Sequence, residues 1–447
     1  MFARVRSDVL VRRWVLWGAL GVLYVLVNLN RLSTAVLSED LMASFGTTAT
    51  QLGTLHAVFF WVYAVMQIPT GVLADRFGPR RTATAGGLTM NVGAVLFAYS
   101  SSYAGALVGR GLVGLGASVI FVCILRFCAS WFRADEFGFT SGLTFAVSGL
   151  GGVLATTPLA VAAEGLGWQR TIGALGAFGL VATVAVYAFV RDSPERAGFE
   201  PLEGVPEDSP VTVADLRGYL GTILRDRLTW VVGLMLFCTT GTNLTLFGLW
   251  GVPYVAQTYD VSVTHASTYT LLGSIGVMIG PPALGRLSDR LGQRTLPMVV
   301  GGVCYVLALG TVAVFGDPPL PVVGVVFFVA GVLIGAFVLS YAVVQERHPT
   351  DASGISTGTI NGAAFFGAAF LPTLMGRAID RYWTGEVVGG VRVYEPMGYR
   401  LAFAIATAAG AIALCCALWL YAHGEGGGDT EGEPESDVDA EPGRSPN

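Results

Sequence analysis

Twelve uninterrupted apolar stretches of about 20 residues constrain this chain more than any other feature of its sequence. The hydrocarbon core of a bilayer is about 30 Å thick, so an α-helix needs about 20 apolar residues to cross it. The sequence therefore predicts an all-α integral membrane protein with twelve transmembrane helices. The predicted spans cover residues 14–37, 51–73, 82–100, 103–127, 137–162, 171–190, 230–254, 266–284, 296–315, 321–344, 355–375 and 399–422.

Composition argues against several other classes of protein. Only 13% of the 447 residues are charged, whereas a soluble globular protein has about 25%. The six cysteines all fall in apolar stretches, so neither a disulfide framework nor a metal site is indicated. The sequence shows no phosphate-binding Gly-rich loop with Lys and no nucleophile with its base, as an ATP-driven pump or an enzyme would require. We expect no cofactor and no nucleic-acid partner.

An internal repeat relates the two halves of the chain. The ten-residue segment that begins at Gly71 recurs at Gly285, and every shared residue is shifted by 214 positions. Pro158 and Pro372 show the same shift. Parallel repeats of this kind predict two pseudo-symmetric six-helix bundles, with a substrate site between them near mid-membrane and a rocking motion of one bundle on the other.

The repeat and the charge pattern together predict four regions. Residues 1–190 and 229–422 form the two bundles. Residues 191–228 form a cytoplasmic loop whose end, 212–227, is an amphipathic surface helix. Residues 423–447 form a disordered acidic tail, because a Gly- and acid-rich segment cannot bury apolar surface.

The distribution of arginine predicts that both termini are cytoplasmic and that the chain lies in the cytoplasmic membrane. Cytoplasmic loops of membrane proteins carry an excess of basic residues. With the N-terminus inside, 18 arginines lie inside and five outside, four of them in one loop. Residues 1–13 show no small-residue cleavage site, so we expect the first span to remain as a helix.

The repeated segment predicts a conformational latch in the turns after the second and eighth spans. Its pattern is Gly-x-x-x-Asp-Arg-x-Gly-x-Arg, in which glycine allows a short turn and aspartate can pair with arginine or cap a helix. Ordinary basic loop charge would explain the arginines but not the repeated glycine and aspartate. The predicted latch residues are Gly71, Asp75, Arg76, Arg80, Gly285, Asp289, Arg290 and Arg294.

This double motif resembles the hallmark of the major facilitator superfamily. A second motif of that family, Arg-x-x-x-Gly-x-Gly, is matched by Arg110, Gly114 and Gly116, and the resemblance covers residues 12–422. It implies transport by alternating access. Short strings look like the sugar-phosphate permease and organic-anion branch, namely Gln51-Leu-Gly, Phe59-Phe-Trp-Val-Tyr63, Gln67-Ile-Pro, Gly167-Trp168 and Gly248-Leu-Trp-Gly-Val-Pro-Tyr254. The Gly-Pro motif of drug exporters is absent from the fifth span, which disfavours an exporter.

Apart from Arg400 at the start of the last span, three arginines lie within predicted spans, where burial costs about 2.5 to 3.5 kcal/mol. Arg31 shares a helix face with Tyr24 and Asn28, and its guanidinium could bind a carboxylate or phosphate in a forked geometry. The resemblance implies that Arg31 is a substrate ligand; the alternative is that it snorkels to the outer interface. It implies a cavity or coupling role for Arg110, with structural hydrogen bonds to backbone as the alternative. Arg126 is predicted to be an interfacial anchor.

Two polar and aromatic stripes are predicted to line the substrate cavity. On the second span the stripe consists of His56, Phe60, Tyr63 and Gln67, with hydrogen bonding between helices as the alternative. On the seventh span the stripe is Asn243, Phe247, Trp250 and Tyr254, with plain packing as the alternative. Tyr341 and Asn361 supply further polar groups.

No Asp or Glu falls in the middle third of any predicted span. If transport is proton-driven, His56 or Glu39 is therefore expected to carry the proton; otherwise the protein exchanges anions or acts as a facilitator. We conclude from the sequence that the chain is a secondary transporter of a small organic anion, active as a single chain. The alternatives are an exporter, a carrier of neutral or zwitterionic solutes such as peptides, and a membrane sensor built on the same scaffold.

Overall fold

The computed structural model of the chain describes residues 9–200, 221–347 and 353–424. Most of the predicted amphipathic helix at 212–227 and nearly all of the predicted acidic tail lie outside these residues. The described part is helical apart from one two-stranded sheet.

The first half contains seven helices, two of them short. They are α1 (Val9–Leu32), α2 (Ser38–Phe45), α3 (Ala49–Ala98), α4 (Tyr103–Trp131), α5 (Ala134–Leu154), α6 (Thr157–Leu166) and α7 (Trp168–Phe189). Helix α3 contains two of the predicted spans. The chain turns between them at Gly78, whose φ of 80° suits a residue without a Cβ.

The second half follows the same order of long helices, with one π-helical turn. It contains α8 (Arg227–Thr245), a π-turn (Leu246–Trp250), α9 (Gly251–Tyr259), α10 (Val263–Leu291), α11 (Thr295–Phe315), α12 (Leu320–Val338), α13 (Ser340–Arg347), α14 (Ser353–Asp380) and α15 (Pro396–Gly424). Between α14 and α15, β1 (Trp383–Val388) and β2 (Val391–Tyr394) form an antiparallel hairpin.

Within the described ranges, nine helices are long and apolar enough to cross a bilayer, or ten if the bent pair α5–α6 counts as one span. Two more helical segments, the part of α3 after Gly78 and α10, are less apolar and are not among them. The prediction of an all-helical membrane fold is confirmed. The count of twelve depends on these two segments and stays a prediction.

The fifth predicted span, 137–162, is interrupted by a bend. The helix ends at Leu154, and α6 starts at Thr157 with a bend of 42°. Pro158 stands in the first turn of α6, where proline is favoured because that turn needs no backbone N–H donor.

Each half contains a close crossing of two helices. A Cβ atom on Gly114 would lie 2.4 Å from the carbonyl oxygen of Phe59, and one on Gly331 would lie 2.1 Å from that of Gly273. Residues 59 and 273 differ by 214, the offset of the repeated motif, whereas residues 114 and 331 differ by 217, so only one helix of each crossing keeps that offset. Because lipid provides no hydrophobic drive for helix pairing, small residues at such crossings allow the backbone contacts that hold helices together.

The two ends of the molecule differ in how the halves meet. The end with the turns at Gly78 and Gly292 and both termini of the described chain is called the motif side here, and the end with the β1–β2 hairpin is called the hairpin side. On the hairpin side, the Asp380 carboxylate accepts hydrogen bonds from the backbone N–H groups of Ala49 and Thr50, at 2.9 and 2.8 Å, and from the Thr50 hydroxyl. These bonds tie α14 to the N-terminus of α3.

A second pair of contacts joins the halves on the same side. Thr264 of α10 donates to Glu164 at 2.8 Å, and Ser267 donates to Thr157 at 3.1 Å. In this conformation the hairpin side is therefore held together by hydrogen bonds from two pairs of helices.

Candidate substrate site between the halves

Arg31 lies in the last turn of α1 and is 8% exposed. Its Nη1 donates to Asn28 Oδ1 at 3.2 Å, and the Asn28 amide donates to the carbonyl of Tyr24 at 3.0 Å. The Nε and Nη2 atoms of Arg31 are buried and make no hydrogen bond in the described structure. The predicted face of Tyr24, Asn28 and Arg31 is therefore formed, and the guanidinium keeps donor capacity for a ligand.

Three aromatic rings surround the Arg31 guanidinium. Its central carbon lies 5.0 Å from the ring centre of Tyr63, 5.2 Å from that of Phe365 and 6.0 Å from that of Phe59. Tyr63 and Phe59 belong to α3, whereas Phe365 belongs to α14 in the other half. Cation–π attraction positions the charge in a site from which water is largely removed. We call these three residues the aromatic cage.

A chain of hydrogen bonds crosses between the halves beside the cage. The Tyr341 hydroxyl donates to Asn361 Oδ1 at 2.9 Å, and Asn361 Nδ2 donates to Gln67 Oε1 at 2.9 Å. Gln67 stands one turn after Tyr63 on α3, and Asn361 stands one turn before Phe365 on α14. The structure therefore brings the predicted residues Tyr63, Gln67, Tyr341 and Asn361 to the neighbourhood of Arg31.

Arg110 is buried on α4 and is bonded to the end of α1. Its Nη1 donates to the carbonyl of Asn30 at 2.8 Å, and its Nη2 donates to the Thr34 hydroxyl at 3.1 Å. A cation at a helix C-terminus satisfies carbonyls that have no partner within the helix. The guanidinium carbon of Arg110 lies 5.5 Å from the ring centre of Phe59, so Arg31 and Arg110 contact the same ring. This geometry favours a structural role for Arg110, holding the segment that carries Arg31.

His56 lies in the seam between the halves and is fully buried. Its ring centre is 5.1 Å from that of Phe60, and a Cβ atom on Gly248 would approach His56 Cε1 to 3.0 Å. Neither ring nitrogen makes a hydrogen bond of normal geometry in the described structure. In this conformation His56 packs against the π-turn of the other half and has no exposed surface.

The predicted stripe on the seventh span is not one continuous face. The π-turn at 246–250 inserts between Asn243 and Tyr254 and rotates the residues after it away from the spacing of an α-helix. Trp250 Nε1 donates to the carbonyl of Pro372 at 3.2 Å, and the Tyr254 hydroxyl donates to the carbonyl of Gly316 at 2.9 Å. In this conformation both side chains are held by hydrogen bonds to backbone carbonyls, and the cavity role of Trp250 stays a prediction. Asn243 is buried beside Tyr305.

The first copy of the predicted latch joins the turn at Gly78 to the end of α7. The backbone N–H of Arg80 donates to Asp192 Oδ1 at 2.7 Å, and its Nε donates to the carbonyl of Tyr187 at 2.9 Å. A Cβ atom on Gly78 would lie 2.8 Å from the Asp192 carboxyl carbon, so this position has no room for a side chain. These contacts of Arg80 all lie within the first half.

The second copy of the latch makes a looser local contact. Arg294 Nη1 lies 3.9 Å from Asp289 Oδ1, and both side chains are partly exposed. Gly292 ends α10 with a φ of 64°. Gly71 and Gly285 have open space around the position of a Cβ atom, so close packing does not require glycine at either position in this conformation.

Arg76 and Arg290 are the remaining motif arginines with described side chains. Arg76 lies 5.6 Å above the ring of Phe77, and both Arg76 and Arg290 are exposed. The side chain of Asp75 lies outside the described structure. The latch function itself therefore stays a prediction.

Sequence reasoning predicted Tyr63 but missed the other two rings of the cage, Phe59 and Phe365. Phe59 lies one helical turn before Tyr63, and Phe365 lies one turn after Asn361, so each shares a helix face with a predicted residue. Asp380 was missed because nothing in the local sequence relates it to the N-terminus of α3.

Known proteins that resemble this chain include a probable transporter and a membrane sensor. The sequence profile of the Major Facilitator Superfamily matches residues 18–372. The probable sulfoacetate transporter SauU of Cupriavidus necator is 27% identical over 390 residues, which cover 83% of this chain and 88% of that protein. The membrane sensor protein UhpC of Escherichia coli is 23% identical over 381 residues, which cover 82% of this chain and 86% of that protein.

A solved structure shares the fold. The crystal structure of a bacterial homolog of the human lysosomal transporter Spinster, in an inward-facing and occupied conformation, has a TM-score of 0.73 at 16% identity and covers 92% of this chain and 97% of that one. The family profile spans more than half of the sequence, and the prediction of the family from its motifs is confirmed. The chain belongs to the Major Facilitator Superfamily.

Proposed function

We propose that the chain transports a small organic anion by alternating access, with Arg31 as the counter-charge. The observation that carries the proposal is a buried guanidinium, at the contact of the two halves, with two nitrogen atoms that have no partner in the described structure. A buried donor without a partner costs about 1 to 3 kcal/mol, and more when it is charged. A carboxylate, sulfonate or phosphate supplies two acceptor oxygens and removes that cost.

Similarity to other proteins supports the same class of cargo. The relative from Cupriavidus necator is named for sulfoacetate, a small molecule with one sulfonate and one carboxylate. In our proposal Arg31 binds one acidic group of the cargo, and Tyr341, Asn361 and Gln67 bind its hydroxyl or second acidic group. Tyr24, Asn28 and Tyr63 orient the Arg31 guanidinium.

The proposed transport cycle requires the hairpin side to open. The hydrogen bonds of Asp380 to the N-terminus of α3 then break and re-form in every cycle. In our proposal the protein lies in the cytoplasmic membrane, with the motif side and both termini in the cytoplasm. A single chain forms the transport pathway. A proton or an exchanged anion accompanies the cargo, with His56 and Glu39 as the groups that could carry the proton.

Transport by purified protein in liposomes tests the proposal. We expect counterflow of labelled sulfoacetate or a hexose phosphate, and no counterflow of a dipeptide. Arg31→Gln should reduce the rate at least about tenfold, because one charge-assisted hydrogen bond is worth about 1.5 to 3 kcal/mol. Arg31→Lys should restore part of the rate, since lysine keeps the charge but not the planar fork. Arg170→Gln, at an exposed position, is the matched control. Anion counterflow by Arg31→Gln at the control rate would disprove the proposal.

A membrane sensor is the second candidate, because UhpC is a sensor that matches most of this chain. A sensor would bind the anion at Arg31 without moving it. Ligand-dependent stabilisation of the purified protein together with an absence of counterflow would favour that function.

A further inference from the structure

The motif side of the first half contains a cavity of about 640 Å³ lined by arginine. It lies outside the predicted substrate site and is called the arginine cavity here. Six arginines line it: Arg76, Arg80, Arg81, Arg126, Arg191 and Arg196. Asp192 is the acidic residue among the described residues of its lining, and it is paired with Arg196 at 2.8 Å. Among the described lining residues, six positive charges therefore face one negative charge.

An apolar groove adjoins this cavity. It has a volume of about 390 Å³ and lies between α3 and α4, where Met66, Leu73, Leu115 and Val119 belong to its lining. Leu115 is 36% exposed, as expected of a side chain that faces acyl chains. The rest of its lining consists of Phe77, Arg81, Gly116 of α4, and four small residues of the second part of α3, namely Thr82, Ala85, Gly86 and Thr89.

Phe77 and Arg81 line both spaces. The arginine cavity and the apolar groove therefore share a wall. The arginine cavity places positive charge at the end of the molecule, and the groove extends apolar surface from it along the helices. A ligand that fills both must carry a negative group on an apolar chain. A soluble anion would leave the groove empty, and a neutral lipid would leave the charges unbalanced.

We propose that these two spaces form a binding site for an anionic phospholipid of the leaflet on the motif side. The phosphodiester lies among the arginines, with Arg76 and Arg81 as its main partners, and one acyl chain lies in the groove. Clustered arginines beside a membrane surface attract anionic headgroups, and guanidinium groups bind phosphate oxygens in a forked geometry.

The repeat shows that this site belongs to the first half alone. At the offset of 214 residues, Arg76 and Arg80 correspond to Arg290 and Arg294, whereas Arg81 corresponds to Thr295 and Arg126 to Ser340. The latch motif is thus duplicated, but the additional arginines that complete the cavity are not. Arg290 therefore provides a matched control for Arg76 in the same motif.

The test measures lipid binding by the purified full-length protein in detergent. Phosphatidylglycerol should bind in native mass spectra and raise the Tm by about 3 °C or more, whereas phosphatidylcholine should not. Arg76→Gln combined with Arg81→Gln should remove at least half of that shift, and Arg290→Gln should retain it. An equal loss of the Tm shift in the Arg290→Gln control would overturn the proposal, because the lipid would then be responding to surface charge in general.

Two further arms separate the parts of the proposed ligand. Ala85→Trp places a large side chain at an exposed position of the groove, and Ala177→Trp is its control on the exposed face of α7. Weaker lipid binding in the first variant alone supports an acyl chain in the groove. Glycerol 3-phosphate has the charge without the chains, and a Tm shift equal to that of phosphatidylglycerol would show that the site takes a soluble phosphate and that the lipid proposal is wrong.

Discussion

The guanidinium carbon of Arg31 lies 5.2 Å from the ring centre of Phe365, so the charge of one half rests against an aromatic ring of the other. Tyr63 completes the contact, with its ring 4.5 Å from that of Phe365. An anion that draws the Arg31 guanidinium toward itself would therefore change the contact between Arg31 in the first half and Phe365 in the second. A ligand can shift a conformational equilibrium when it interacts differently with the two states, and this contact provides such a difference.

Replacing Phe365 by leucine should weaken anion binding by about fivefold. The substitution keeps an apolar side chain but removes a desolvated cation–π contact worth about 1 kcal/mol. Isothermal titration of the purified protein with the transported anion measures the change in Kd. Phe366→Leu is the control, because Phe366 is the next residue, is 36% exposed and packs on Trp61. Equal Kd values for the two variants would show that the aromatic cage does not position Arg31.

Replacing Asp380 by asparagine should favour the conformation that is open on the hairpin side. The amide keeps the shape of the side chain but loses the charge that strengthens its bonds to the N-terminus of α3. A loss of about 1 kcal/mol raises the population of the open form about fivefold. The population of the open form can be measured from the distance between spin labels at positions 51 and 377. The exposed Cys304 and Cys415 are first replaced by serine so that only the two chosen positions are labelled.

The control for this experiment is Glu386→Gln, which removes an acidic residue from the exposed hairpin on the same side. We expect its distance distribution to match that of the wild type. An Asp380→Asn distribution that also matches the wild type would show that the bonds to Ala49 and Thr50 do not hold the hairpin side closed.

The ion pair between Arg13 and Glu136 should make stability depend on pH. Arg13 donates two hydrogen bonds of 2.7 Å to the Glu136 carboxylate, and these bonds lower the pKa of Glu136 below its ordinary value. A lowered pKa in the folded state contributes stability above the unfolded pKa of about 4.3, and that stability is lost as the pH falls through the folded pKa. Because the carboxylate is partly exposed, we expect about 0.5 to 1 kcal/mol.

Thermal unfolding at pH 7 and near pH 3.5 checks this expectation. The wild type should exceed Glu136→Gln in Tm at pH 7, and the difference should shrink at the lower pH. Glu195→Gln, at an exposed position, is the control and should follow the wild type at both values. A difference between wild type and Glu136→Gln that is independent of pH would rule out the ion pair as its cause.

The substitution Gly114→Ala should destabilise the protein, whereas Gly111→Ala should not. A Cβ atom at position 114 would lie 2.4 Å from a backbone carbonyl oxygen. The clash is hard to relieve because both backbones belong to helices packed against each other. We expect a loss of about 2 kcal/mol. Gly111 has nothing within 4 Å of the Cβ position, so alanine there should gain about 0.5 to 1 kcal/mol from helix propensity. Measuring the Tm of both variants in the same detergent tests this prediction. Equal Tm values would contradict the close backbone contact at Gly114.

Some features of the fold could be predicted from local sequence alone. Apolar stretches of spanning length predict helices because backbone groups in lipid must bond within their own segment. The bend between α5 and α6 could also have been predicted, since Pro158 marks it. The π-turn at 246–250 could not, because its position depends on packing: a Cβ atom on Gly251 would lie 2.9 Å from Thr270 and 3.4 Å from Phe327.

The sequence by itself determined the family, the repeat of 214 residues and the shared face of Tyr24, Asn28 and Arg31, because each depends on spacing along one helix or on matching segments. Tertiary structure decided what Arg31 touches. Phe59 and Phe365 come from helices that are distant in the chain, and their rings meet the guanidinium because the two bundles pack against each other. The structural bonds of Arg110 and the burial of His56 have the same origin, since a side chain's partners depend on which helix faces it.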